Sequence, residues 1–195
     1  MQYQKEDVRK RIVEAAKTEF LRVGFARTSM LAVSNRAKVP IGNLYRYFSS
    51  KAALFDAIVG TAKERLIECA KEICALNIEG LESGKESIID MANVVGDCLA
   101  DYAQDYSKEL ILLLEKSGGS AYADFTNEII VFASDLCKQR FYTDPLKRND
   151  YLCELVANHL TRGIFRIMIE CPQEEQRAQL AALFIFYFNH LEDRL

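Results

Sequence analysis

The stretch Val39-Pro40-Ile41-Gly42-Asn43-Leu44-Tyr45-Arg46-Tyr47-Phe48-Ser49-Ser50-Lys51-Ala52-Ala53-Leu54 decides how the chain is read. Pro40 sits where a first helical turn tolerates a missing N–H, so a short helix is expected from there to about Phe48. Ser49 or Ser50 then caps a new helix that begins at Lys51. Upstream, Thr28 or Ser29 caps a helix over Met30 to Ala37. Before it, Val8, Ile12, Ala15, Ala16, Phe20 and Val23 form one apolar stripe, with Gly24 as the residue that ends the helix. Two short helices across a tight break, behind a packing helix, fit a helix-turn-helix unit. Val33, Ala37, Val39, Leu44 and Phe48 are its expected internal core.

In such a unit the second helix lies in the major groove with its N-terminal residues at the base edges. That nominates Ile41, Gly42, Asn43, Tyr45 and Arg46. Asn43 suits adenine or a phosphate, Arg46 suits guanine or a phosphate, and Ile41 and Tyr45 suit thymine methyls. Gly42 lets the backbone approach the duplex, and Thr28, Ser29, Tyr47 and Lys51 are expected to bond phosphates. Charge agrees. Residues 1–56 carry eleven Lys/Arg against five Asp/Glu, a surplus of +6, and residues 57–195 carry fourteen against twenty-three, or -9, which together make the chain's -3. A basic head on an acidic body points to double-stranded DNA as partner.

Phe20-Leu21-Arg22-Val23-Gly24-Phe25, then Thr28-Ser29-Met30, then the Gly42-x-Leu44-Tyr45-x-Tyr47-Phe48-x-x-Lys51-x-x-Leu54 string, resemble the DNA-binding domain of TetR-type (tetracycline-repressor-like) transcription regulators. The resemblance covers about residues 8–56. It implies an all-α homodimer with one recognition helix per subunit and a C-terminal effector-binding body. The division expected is 1–50 for the helix-turn-helix DNA-binding domain and 51–195 for effector binding and dimerisation. Three residues depart from the family pattern: Ser34 in place of the usual Ala, Lys38 in place of Gly in the turn, and Pro40 in place of a capping Ser. They put the turn geometry in question.

The rest of the chain also reads as helix, about nine in all and no strand. Helices are expected from Lys51 to about Ala75, from the Ser83–Glu86 capping box to Tyr102, from Ser107 to Lys116, from Tyr122 to Tyr142, from Asn149 or Asp150 to Glu170, and after Pro172. The last helix is apolar on nearly all sides, which calls for burial on two faces. Leu180, Phe184, Tyr187, Phe188 and Leu191 on it, with Leu152, Leu155, Leu160, Gly163 and Ile167 before it, are the expected four-helix homodimer interface. Tyr102, Tyr106, Tyr122, Phe125 and Phe132, with Asn158 and His159 as polar anchors, are the expected effector pocket.

Other classes have little support. The segment MQYQKEDVRKR has no apolar stretch behind its charges, and the apolar run from Ala178 to Phe188 is far below the ~20 residues of a membrane span. No membrane partner and a cytoplasmic location are expected. Six Cys lack any CxxC pair, and only His159 and His190 are available, so no metal site is expected and the thiols should be reduced and mostly buried. Neither a phosphate loop nor a catalytic motif is present, so neither catalysis nor a cofactor is expected. The function expected is a ligand-responsive regulator, a repressor that binds a palindromic operator as a homodimer and is released by a small-molecule effector. The alternative is control by a protein partner or by thiol redox state, although Cys69 and Cys74, five apart on one helix, are awkwardly placed for a disulfide.

Overall fold

The computed structural model describes residues 2–75, 87–141 and 150–189. Among these residues there are eight helices and no strand: α1 (Gln2–Arg27), α2 (Met30–Ala37), α3 (Ile41–Tyr47), α4 (Lys51–Cys74), α5 (Ile88–Glu115), α6 (Phe125–Phe141), α7 (Asp150–Glu170) and α8 (Gln173–Phe188). The capping box at 83–86, Tyr142 and Leu191 lie outside the described residues.

Three boundaries differ from the sequence expectation: α1 continues through Gly24 to Arg27, α6 begins at Phe125 and not at Tyr122, and one expected break is missing. The two helices expected on either side of Tyr102–Ser107 are a single element, α5, kinked at Tyr106 (φ -128°, ψ 21°). No Pro or Gly occurs between Asp97 and Lys116, so the backbone bends there without ending the helix.

The chain forms two compact units: Met1–Glu64 with Lys108–Thr126, and Arg65–Ser107 with Asn127–Leu195. Helices α4 and α5 each contribute to both.

In the first unit the α1 stripe turns inward as its spacing requires, and Ile12, Ala16 and Phe20 are wholly buried. Gly24 interrupts α1 at φ 79°, ψ 165°, a region essentially restricted to glycine. Phe20, Phe25 and Phe55 pack as a ring cluster, with Phe20–Phe55 centroids 4.9 Å apart and Phe25–Phe55 5.1 Å apart. Each such buried ring contributes about 1.5–3 kcal/mol over an exposed one. The expected internal core of the helix-turn-helix unit, Val33, Ala37, Val39, Leu44 and Phe48, is buried throughout.

In the second unit small residues set how closely the helices approach. A Cβ added at Gly96 of α5 would lie 2.7 Å from the Arg177 carbonyl oxygen of α8, and one at Gly163 of α7 would lie 3.2 Å from Leu183 Cδ2. Arg177 also bridges to Asp97 at 3.0 Å and to Asp101 at 3.3 Å. Cys69 of α4 and Cys98 of α5 are joined in a disulfide, which corrects the expectation of reduced thiols, while Cys153 is buried. Their Cα atoms are 6.5 Å apart, within the span a disulfide bridges, whereas the pair weighed from sequence shared a helix.

Candidate nucleic-acid interface

Ser29, in an extended conformation (φ -110°, ψ 149°), opens α2, and its Oγ accepts the Ala32 N–H at 3.1 Å. The helix closes on Lys38, a left-handed residue at φ 53°, ψ 43°. A non-glycine there costs on the order of 1–2 kcal/mol, so something must hold the turn. Ser34 does so. Its buried hydroxyl donates to the Val39 carbonyl at 2.6 Å, while the Val39 N–H donates back to the Ser34 carbonyl at 3.1 Å. Two departures from the family pattern, Ser34 and Lys38, thus belong to one arrangement. Pro40, the third, precedes α3 with no side-chain cap, and its carbonyl accepts the N–H groups of Asn43 (2.9 Å) and Leu44 (3.0 Å).

Helix α3 anchors itself through Leu44, its one fully buried side chain. Positions 41, 42, 45 and 46 share the opposite face, as helical spacing dictates. Ile41 is 36% exposed, Tyr45 is 48% exposed, and Gly42 and Arg46 are exposed as well. Asn43 and Tyr47 flank this face half-buried. Space over Gly42 is open, since an added Cβ would meet nothing within 4 Å. The structure therefore brings Ile41, Gly42, Asn43, Tyr45, Arg46 and Tyr47 onto one outward-facing element.

Buried Glu19 of α1 fastens the unit from beneath. Its carboxylate accepts from Arg22 (2.7 Å) and from Arg36 of α2 (2.6 Å). These two guanidiniums hold the Glu19 carboxyl below the usual carboxylate range, against the opposing effect of burial.

Two expected phosphate contacts are directed elsewhere. Thr28 is only 4% exposed, and its hydroxyl donates to the Gly24 carbonyl at 2.8 Å. The Lys51 ammonium donates to the carbonyls of Phe25 (2.7 Å), Ala26 (3.2 Å) and Thr28 (2.9 Å). Sequence spacing placed both residues beside the duplex, but backbone carbonyls freed at the end of α1 claim their donors first. Lys38 is the candidate that sequence reasoning passed over. It stands exposed at the turn between α2 and α3, and its signal was a cation where glycine was expected.

Residues 12–58 match the family model described as bacterial regulatory proteins, tetR family. The match is confined to the segment that holds most of α1, all of α2 and α3, and the start of α4. A 58-residue stretch is 41% identical to the HTH-type transcriptional repressor KstR of Mycolicibacterium smegmatis, covering 30% of this chain and 28% of that one. A 72-residue stretch is 36% identical to the HTH-type transcriptional regulator UidR of Escherichia coli, covering 37% of each chain. The matches thus span well under half the length of these curated relatives. The fold extends further than the sequence likeness. A TetR-like transcriptional regulator from Rhodococcus sp. RHA1 superposes with a TM-score of 0.61 at 18% identity, over 91% of this chain and 93% of that one. NalD of Pseudomonas aeruginosa, the secondary repressor of the MexAB-OprM multidrug efflux pump, gives 0.55 at 20% identity, over 94% of this chain and 95% of that one.

The residues of the expected effector pocket are divided between the two units. Tyr122 and Phe125 belong to the first unit. Phe125 is buried, and Tyr122 packs on Phe55 at 5.9 Å and donates to Asp56. Burial, then that hydrogen bond, pushes the Tyr122 phenol up to about 12. Tyr102, Tyr106, Phe132, Asn158 and His159 belong to the second unit. There Tyr102 and Tyr106 pack at 5.2 Å, Asn158 Oδ1 accepts from Arg162 at 2.6 Å, and His159 is exposed.

Among the expected dimer residues, Leu180 and Phe184 are already buried by their own chain, and Gly163 receives Leu183 of its own chain. The outward apolar surface of α7 and α8 includes Tyr151 (76% exposed), Leu155 and Phe186 (67% exposed). Half-buried Leu152, Leu160 and Ile167 share α7, and Tyr187 and Phe188 share α8. No described helix is long and apolar enough to cross a membrane.

Proposed function

We propose that this chain is a cytoplasmic transcription repressor that binds a palindromic duplex site as a homodimer, with residues 1–50 reading DNA and residues 51–195 serving effector binding and dimerisation. The outward face of α3 carries the reading. A helix fixed from below by Leu44 and offering Ile41, Gly42, Asn43, Tyr45 and Arg46 on its free side has the shape and chemistry of a major-groove reader. Ser29 and Tyr47 serve as phosphate contacts. Exposed Tyr151, Leu155 and Phe186 on α7 and α8 support a second copy as the partner that covers them. Paired heads would meet half-sites about 34–36 Å apart or at a multiple of it. A small-molecule effector, bound in the second unit among residues such as Tyr102, Tyr106, Phe132, Asn158 and His159, releases the duplex to the extent that it prefers the non-binding arrangement. Selecting bound duplexes from a random pool with the purified chain, followed by metabolite screening for release, tests this. Recovery of two-fold symmetric sequences is expected, and a monomer that binds no duplex at low salt ends the proposal.

The redox alternative also has an observation behind it, the Cys69–Cys98 disulfide between α4 and α5. Here the input is hydrogen peroxide. The two thiols lose two electrons and two protons to it, forming the S–S bond and two waters. Duplex release by peroxide that disappears in Cys98→Ser supports this second reading, and release indifferent to oxidants removes it.

A further inference from the structure

The first residue of α4 closes the corner between α1 and α2. Lys51 Nζ donates to three carbonyls, those of Phe25, Ala26 and Thr28, which matches the three donors an ammonium possesses. It also lies 4.4 Å from the centroid of the Phe25 ring, so the same cation is held by a π face. From the other side, the Phe25 N–H donates to the Lys116 carbonyl at 2.8 Å. The Thr28 N–H closes on the Gly24 carbonyl at 3.2 Å and the Phe25 carbonyl at 3.3 Å. The residue after this corner is Ser29, the cap of α2, and α2 leads through the Ser34–Val39 clasp to α3. A phosphate that took the Lys51 ammonium would strand carbonyls at a helix end, where the macrodipole also favours a cation.

We propose that Lys51 is a positioning residue for duplex binding and makes no phosphate contact. It fixes the α1–α2 corner so that the α2 cap and the α3 face are presented in one geometry. The proposal rests on the duplex-binding reading above, but it separates from it by experiment. A phosphate contact releases a counterion, so its loss flattens the dependence of log affinity on log salt by about 0.9. A positioning residue releases none.

The test uses the full chain, Lys51→Met, and the duplex recovered by selection, or a mixed-sequence duplex at low salt if selection yields none. Affinity is expected to fall about tenfold at every salt concentration, with the slope parallel to wild type. In the protein without DNA, amide exchange at Phe25 and Thr28 is expected to quicken by about tenfold. Arg46→Met, on the outward face of α3, is the comparison: a flatter slope with corner exchange unmoved. If Lys51→Met does not fold, Lys51→Gln, which keeps two donors for the carbonyls, is measured the same way. A flattened slope with unchanged corner exchange overturns the proposal and restores the phosphate role. Wild-type protein that binds no duplex defeats the regulator reading instead, and is recognised because it needs no variant to be seen.

Discussion

At the corner between α1 and α2, directed hydrogen bonds set the geometry: Lys51 to three carbonyls, Thr28 to Gly24, Phe25 to Lys116. Where α5 meets α8, the decisive feature is an absent side chain at Gly96, which leaves no room for a Cβ beside Arg177. Hydrogen bonds need particular donor types at particular positions, so the head is written as a motif. Close packing needs only complementary shape, and many sequences supply that.

The contrast can be broken at four points. Phe55→Ala removes the ring on which Phe20, Phe25 and Tyr122 converge, and should cost about 3–5 kcal/mol in denaturant unfolding. A loss below 1 kcal/mol would mean that the head depends on its polar corner alone. Gly96→Ala should cost about 1–3 kcal/mol, because the 2.7 Å approach to a carbonyl oxygen forces backbone to move. A neutral result there would show that the second unit yields to shape changes more readily than its packing implies.

Glu19→Gln should cost about 1–2 kcal/mol at neutral pH, discounted because both guanidinium partners are partly exposed. Its sign with pH is definite. The folded-state pKa is depressed, so the contribution is present above the unfolded value near 4.5 and is lost as pH falls through the folded one. Wild type should therefore lose stability on acidification more steeply than the variant, and parallel acid-unfolding curves would contradict the role given to Glu19. The smallest effect is expected at Gly42→Ala, a gain of about 0.5 kcal/mol, because open space receives the methyl and helix propensity improves. Duplex affinity measured on the same protein should nevertheless fall, since the backbone can no longer approach as closely. Unchanged affinity would show that α3 keeps its distance from the duplex at this position.

Much of the head was legible in advance. Ser29 as a cap and the inward set Val33, Ala37, Val39, Leu44 and Phe48 follow from local chemistry that depends on near neighbours in the chain, whereas Gly24, expected to end the first helix, only interrupts it. The partners of Lys51 and Thr28 were hidden for a physical reason: they are backbone carbonyls, and every residue type has one. Spacing therefore gives no sign of which carbonyls a side chain will meet. The pairing of Cys69 with Cys98 was equally hidden, because it joins positions 29 residues apart on different helices. The break expected near Tyr102–Ser107 is a kink at Tyr106 inside one helix.

Acting alone, the order of residues determined the helical class, the basic head and the side chains that α3 turns outward. Periodicity and capping operate over a turn or two of chain, where neighbours in sequence are neighbours in space. Tertiary structure decided which donors remained free for a partner, which apolar residues of α8 were already covered, and how near α5 lies to α8. Those outcomes depend on segments brought together from far along the chain, and no local pattern records the distance between them.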